Sequence, residues 1–224
     1  MPFAGFDSLH YPGDAVMGWL KANTNLSFVG FYLAPAPSQG DREWMTHRGA
    51  LASQGWGFSP VYLGQQEVTA PGQHILTVRQ GSIDGGDASQ LMQTAGFPSN
   101  SVVYLDCETG GPASFAVTSY VEAWIDAVTA AGFYRPGIYC SHSTAPSLLA
   151  VRPGTAVWSF KLTGPAPGPS YPPNFPVNAP SGCGVASATV WQYAQNLTVP
   201  LSGGPVASLK VDLDCASVAD PSNP

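Results

Sequence analysis

Asp106 and Glu108 stand two residues apart in Val102-Val103-Tyr104-Leu105-Asp106-Cys107-Glu108-Thr109-Gly110, where an apolar run stops at two carboxylates. On a β-strand this spacing puts both side chains on one face, their Cα atoms roughly 6.5–7 Å apart, with Cys107 on the other face. Two adjacent carboxylates resist being ionised together, so one keeps its proton near neutral pH. A general acid that protonates the leaving oxygen of a glycosidic bond needs that property. The same spacing also suits a cation-binding pair, or a strand end meeting water.

Other acids fall in comparable places. Asp7 closes the first apolar run, and Asp212 and Asp214 form a second same-face pair in Lys210-Val211-Asp212-Leu213-Asp214-Cys215. Strands disfavour Asp, so five of the chain's 14 acids at such positions need a reason beyond solvation. Aromatic rings and amides, which grip sugars by stacking and hydrogen bonding, accompany them: Tyr32, Tyr62, Gln65, Trp158 and Gln192 are candidate substrate contacts, together with Asp214. Tyr62 has packing as its plain alternative, and alternation about Gln192 directs Trp191 and Tyr193 into a core layer.

Eight short apolar segments must position these groups: Phe3 to Ser8, Phe28 to Ala34, Gly57 to Gln65, Ser101 to Glu108, Gly137 to Ser141, Val157 to Leu162, Thr189 to Ala194 and Lys210 to Cys215. Helix-compatible spacing separates them at Asp14 to Asn23, Arg42 to Gln54, Ala88 to Ala95 and Phe115 to Ala131, the last stopped by Gly132, with a short helix over His142 to Val151. Alternation of this kind predicts βα units and a parallel sheet, closed as a (β/α)8 TIM-like barrel with some shortened or irregular helices. An open doubly wound sheet is the alternative. The Pro- and Gly-rich Thr163 to Ala188 reads as an ordered loop. In a barrel, catalytic groups gather at the carboxyl ends of the strands, which is where most of these acids fall.

With 224 residues, 44% of them hydrophobic, the chain can bury one full core, and residues 1–224 are expected to form a single domain. A net charge of -6, with only 8 Lys and Arg spread singly, excludes a clustered basic face for phosphate backbones and hence a nucleic-acid partner. No apolar run is long enough to span a membrane, and no charged leader precedes the first strand. The four His lack zinc-ligand spacing and no CxxC, GxSxG or P-loop pattern occurs, so no metal or other cofactor is expected. A calcium or magnesium site built from carboxylates alone stays open. The four cysteines allow three full pairings; a bridge anchoring the loop at Cys183 is one expectation, and buried free thiols at Cys107 and Cys140 stand equally beside it.

The ordered set Gly5-Phe6-Asp7, Tyr104-Leu105-Asp106-Cys107-Glu108, Arg135-Pro136-Gly137-Ile138-Tyr139, Trp191-Gln192-Tyr193 and Val211-Asp212-Leu213-Asp214 resembles the lysozyme-type barrels of glycoside hydrolase family 25. It is similar above all to their relatives in the glycoside-hydrolase-like domain of unknown function family 1906. The likeness covers nearly the whole chain. It implies a secreted or cell-wall-associated, monomeric glycoside hydrolase acting on peptidoglycan or a related polysaccharide. Glu108 would then be the proton donor, Asp106 its partner, Asp7 an acid on the floor of the site and Asp212 the carboxylate of the eighth strand. Asp214 departs from the pattern, which has Asn there, and the Pro-rich stretch from Thr163 to Pro180 would reshape one wall. A non-catalytic carbohydrate-binding barrel that keeps the groove is the alternative.

Overall fold

A computed structural model describes residues 1–67, 70–109, 111–163 and 173–224. Residues 164–172, half of the Pro-rich segment from Thr163 to Pro180, therefore lie outside the described residues. Eight strands close a barrel in sequence order: β1 (Phe3–Asp7), β2 (Leu26–Leu33), β3 (Gly57–Tyr62), β4 (Val102–Cys107), β5 (Arg135–Ser141), β6 (Ala156–Phe160), β7 (Ala188–Pro200) and β8 (Ser208–Ala216). The helices are α1 (Asp14–Asn23), α2 (Arg48–Ser53), α3 (Val78–Thr94), α4 (Phe115–Ala131) and α5 (Ala145–Val151), with short 3-10 turns at Glu43–Thr46 and Pro180–Cys183. The closed barrel with its shortened helices is the architecture expected from the pattern of apolar runs.

The expectation of an all-parallel sheet fails at one strand. β8 runs antiparallel to both β7 and β1, whereas β1 to β7 pair in parallel. Only the short stretch between Pro200 and Ser208 joins β7 to β8, which is too short for a crossover helix and forces a hairpin. Two further boundaries differ. The predicted helix over Arg42 to Gln54 divides into a 3-10 turn and α2, and α3 starts ten residues before Ala88, at Val78, where the Thr77 side chain accepts the Gln80 N–H at 3.1 Å.

Two apolar layers result from strand alternation. Phe28, Val61, Val102, Tyr104, Tyr139, Trp158 and Val190 fill the barrel interior, and a larger cluster that includes Trp44, Tyr62, Trp124, Trp191 and Tyr193 packs between strands and helices. Trp191 and Tyr193 lie in that outer layer, as alternation about Gln192 required. α4 caps cleanly: the Ser114 hydroxyl accepts the Val117 N–H, and Gly132 takes the left-handed conformation at φ 74°. At the barrel end opposite the carboxyl ends of the strands, the C-terminal segment closes the floor, with the Val102 N–H donating to Ser222 O at 2.7 Å. All four cysteines are buried free thiols, so the bridge expected at Cys183 is not formed. Cys183 sits in a turn that packs on β7, and this packing holds the loop instead. Among the described residues no helix is long and apolar enough to cross a membrane.

Candidate active site

Along β4, Val102, Tyr104 and Asp106 face the barrel interior while Val103, Leu105 and Cys107 face the helices. Glu108 follows the last strand residue and stands exposed at the lip, while Asp106 beneath it is 8% exposed. The Asp106 Oδ1 has no hydrogen-bond partner among the described residues. Burial, then the charges of Glu108 and Asp7, push the Asp106 carboxyl well above its ordinary range. Glu108 is raised as well, first by the surrounding protein and then by Asp7.

The other acids arrive from β1 and β8. Because β8 is antiparallel, its amino-terminal half reaches the mouth that the carboxyl ends of β1 and β4 form. Asp7 pairs across with Asp212, and Gly5 with Asp214, so Asp214 lies one layer below. Asp7 accepts hydrogen bonds from the Tyr32 hydroxyl on Oδ1 and the Gln192 amide on Oδ2, both at 2.7 Å. The Asp7 charge lies close enough to raise Asp214, whose Oδ2 has no hydrogen-bond partner among the described residues. Burial raises both groups, Asp214 strongly, although the donors on Asp7 pull the other way. The Trp158 indole N–H donates to Asp214 Oδ1 at 2.9 Å.

Gln192 on β7 orders this group. Its Oε1 accepts from the Tyr139 hydroxyl at 2.8 Å and from the Gln195 amide at 2.6 Å, which turns Nε2 toward Asp7 and, at 3.3 Å, Asp212 Oδ2. The Asp212 Oδ1 accepts the backbone N–H of Asn196 at 2.6 Å. Asn196 holds φ 58°, a left-handed conformation that Asn tolerates, in a stretch where the β7–β8 register shifts. Burial and the Asp7 charge raise Asp212 to about 7, against the Asn196 N–H and the Lys210 charge. Beside these acids opens a hollow of about 340 Å³ lined by Asp7, His10, Tyr32, Asn196, Lys210 and Asp212, among others.

The structure thus brings Asp7, Asp106, Glu108, Asp212 and Asp214 to one end of the barrel, with Tyr32 beside them. It does not bring Tyr62 there, and it sets Gln65 on a small hollow shared with Asp106 and Glu108. Tyr62 alternates outward, is fully buried against Trp124, and donates to Asp87 Oδ2 on α3 at 3.0 Å. Gln65 lies past the end of β3 and bonds Asp84 Oδ2 at 3.3 Å and the Ile75 N–H at 2.9 Å. Both hold the β3–α3 connection to the helix layer. Trp158 and Gln192 do face inward, yet each is only 1% exposed, so they support the acids from beneath and offer no surface to a sugar. Sequence reasoning missed Tyr139, Gln195, Asn196 and Lys210. Alternation along Lys210-Val211-Asp212-Leu213-Asp214 marks Lys210 as same-facing, whereas Asn196 enters through a bulge that no period announces. Among the described residues no group of three or more His, Cys, Asp and Glu side chains has metal-holding geometry.

Residues 19–202 match the family model described as the Rv2525c-like, glycoside hydrolase-like domain. No curated protein matches the chain by sequence. Among solved structures, the spore cortex lytic enzyme SleM of Clostridium perfringens is similar at 16% identity and a TM-score of 0.62, over 96% of this chain and 67% of that one. A family 25 glycosyl hydrolase of Bacillus anthracis is similar at 13% identity and a TM-score of 0.61, over 96% and 89%. The Tat-secreted protein Rv2525c of Mycobacterium tuberculosis is similar at 15% identity and a TM-score of 0.61, over 95% and 94%. At these identities the likeness establishes a shared barrel fold.

Proposed function

Because the chain belongs to the Rv2525c-like, glycoside hydrolase-like domain family, we propose that it is a single-domain glycoside hydrolase that cleaves a cell-wall polysaccharide by carboxylate general acid catalysis. The observation that carries this reading is the placement of Glu108 alone at the exposed lip, with Asp106, Asp7, Asp212 and Asp214 converging behind it. An acid meant to deliver a proton must reach the substrate, and Glu108 reaches it. Its carboxyl is pushed above its ordinary range by burial and by Asp7, the direction a proton donor requires.

The remaining residues divide the work. Glu108 protonates the leaving oxygen, positive charge grows on the ring carbon as the bond breaks, and a water molecule then adds to that carbon and gives up a proton that restores the Glu108 acid. Asp212, raised to about 7, is partly ionised near neutrality and supplies negative charge that this transition state attracts, Glu108 adds its own as it loses its proton, and Asp106 lies beneath Glu108 as its partner. Asp7 sits deeper, between Tyr32, Gln192 and Asp214, and fixes the position of Asp212 through their shared Gln192 amide. Tyr32 is half-buried on the wall of the hollow and presents its ring edge to a bound sugar.

SleM is named a spore cortex lytic enzyme and Rv2525c a Tat-secreted protein; both support an enzyme acting outside the cytoplasm. The test is release of reducing ends from peptidoglycan by the native protein and by Glu108→Gln. A loss of about 10²–10⁴-fold in turnover with an unchanged melting profile is expected. Equal turnover by the variant removes Glu108 from the acid role, and retention on the polymer without release by either protein makes the barrel a glycan-binding module.

A further inference from the structure

The inward face of β8 reads Asp214, Asp212, Lys210, each about 6.5–7 Å further from the barrel floor than the last. Val211 and Leu213 alternate into the outer core, which fixes the direction of the other three. Asp212 is opposite Asp7, the last residue of β1, so Lys210 lies beyond the end of β1, where β8 pairs only with β7 through Thr198. It therefore stands above the acids, on the wall of the 340 Å³ hollow.

Its ammonium group is exposed and makes no ion pair or hydrogen bond among the described residues. The nearest carboxylate is already supplied: Asp212 takes the Asn196 N–H on one oxygen and the Gln192 amide on the other. The second basic group on the hollow, His10, is held by Asp41 Oδ2 at 2.9 Å. Lys210 is thus the lining residue whose charge and three donors are free to meet a ligand. A hollow this size lies at the small end of the roughly 300–1,000 Å³ typical of ligand sites and suits a sugar unit with one substituent.

We propose that Lys210 is a specificity-determining residue that binds a carboxylate carried by the sugar unit in this hollow, so that acidic glycans are preferred over neutral ones. Among the described residues lining the hollow, Lys210 stands against the two carboxyl groups of Asp7 and Asp212 and is where a negatively charged substituent gains rather than loses energy on entering. A point charge on a flexible stem also suits a substituent whose position varies between polymers. This inference rests on the hydrolase reading given above.

The experiment compares kcat/KM for peptidoglycan strands bearing free carboxylates with kcat/KM for the same strands after methyl esterification, using the native protein, Lys210→Met and Lys210→Arg. The native enzyme should favour the free acid by about tenfold, the worth of one charge-assisted hydrogen bond. Lys210→Met should bring that ratio to about one and Lys210→Arg should restore most of it. A ratio that Lys210→Met leaves as in the native enzyme, both forms slowing together, overturns the proposal and makes Lys210 a support for Asp212. A native ratio near one overturns it too. If the native protein cleaves neither form, the hydrolase reading has failed separately, and the same ratio is read from equilibrium binding of the two strand preparations.

Discussion

Asp7 on β1 and Asp212 on β8 are direct cross-strand partners, and the single amide nitrogen of Gln192 reaches both, at 2.7 and 3.3 Å. Like charges directly opposite on an antiparallel pair repel, so this arrangement is comfortable only while one of the two holds a proton. The barrel builds its mouth around that condition.

Asp212 carries the consequence into stability. Its folded pKa of about 7 stands above its ordinary 3.8, so between those values the folded state keeps a proton that the unfolded chain has released. The contribution is fully present below about pH 4 and is lost as pH rises through about 7. Asp212→Asn should flatten the fall in unfolding free energy between pH 4.5 and 7.5 by on the order of a few kcal/mol. Urea titrations at three pH values measure it, and a slope equal to that of the native protein would discard the shared-proton account.

Asp214→Asn should stabilise the fold at alkaline pH. An amide there keeps an acceptor for the Trp158 N–H and removes the buried charge that burial and Asp7 oppose. A gain of about 1–2 kcal/mol at pH 8, shrinking toward pH 5, is expected from removing a buried acid forced to ionise. Thermal melts at the two pH values give the answer; a loss at pH 8 counts against a buried Asp214 whose charge Asp7 opposes.

Gly30→Ala tests how tightly the floor is packed. A Cβ at Gly30 would come within 2.4 Å of the Asp7 Cβ and 3.3 Å of the Trp158 ring, so Asp7 must move. Overpacking of this kind costs about 1–3 kcal/mol. Hydrolysis should fall further than stability alone explains, because Asp7, Tyr32 and Gln192 lose their common geometry. Turnover measured well below the variant's melting temperature separates the two effects.

Tyr62→Phe should behave as a helix-layer change. The lost hydroxyl bonds Asp87, which is exposed and regains water, so a cost of about 1 kcal/mol is expected with kcat/KM within twofold of the native value. Substrate affinity that drops with stability unchanged would return Tyr62 to the sugar-binding wall.

The fold was legible because its signals are local. Apolar runs bounded by turn residues, Gly132 after an amphipathic stretch, and the two Asp-containing same-face pairs need only periods of 2 and 3.6 to be found. The acid cluster was legible for the same reason: Asp106 with Glu108, and Asp212 with Asp214, are set by strand spacing, and a barrel turns strand ends into one mouth.

Direction, depth and proton ownership were decided by tertiary structure alone. The antiparallel course of β8 follows from a connection too short to cross over, and it brings the amino-terminal half of that strand, with Lys210, to the mouth. Tyr62 carries suitable chemistry but belongs to the outer layer, and Trp158 and Gln192 face inward yet lie beneath the acids, because burial depends on what the closed barrel places above each residue. Which carboxyl keeps its proton depends on donors from strands far apart in sequence: Tyr32, Gln192 and the Asn196 N–H meet Asp7 and Asp212 only when the barrel closes. The sequence by itself determined which acids share a face; closure of the barrel decided which of them face each other, and therefore how their charges are shared.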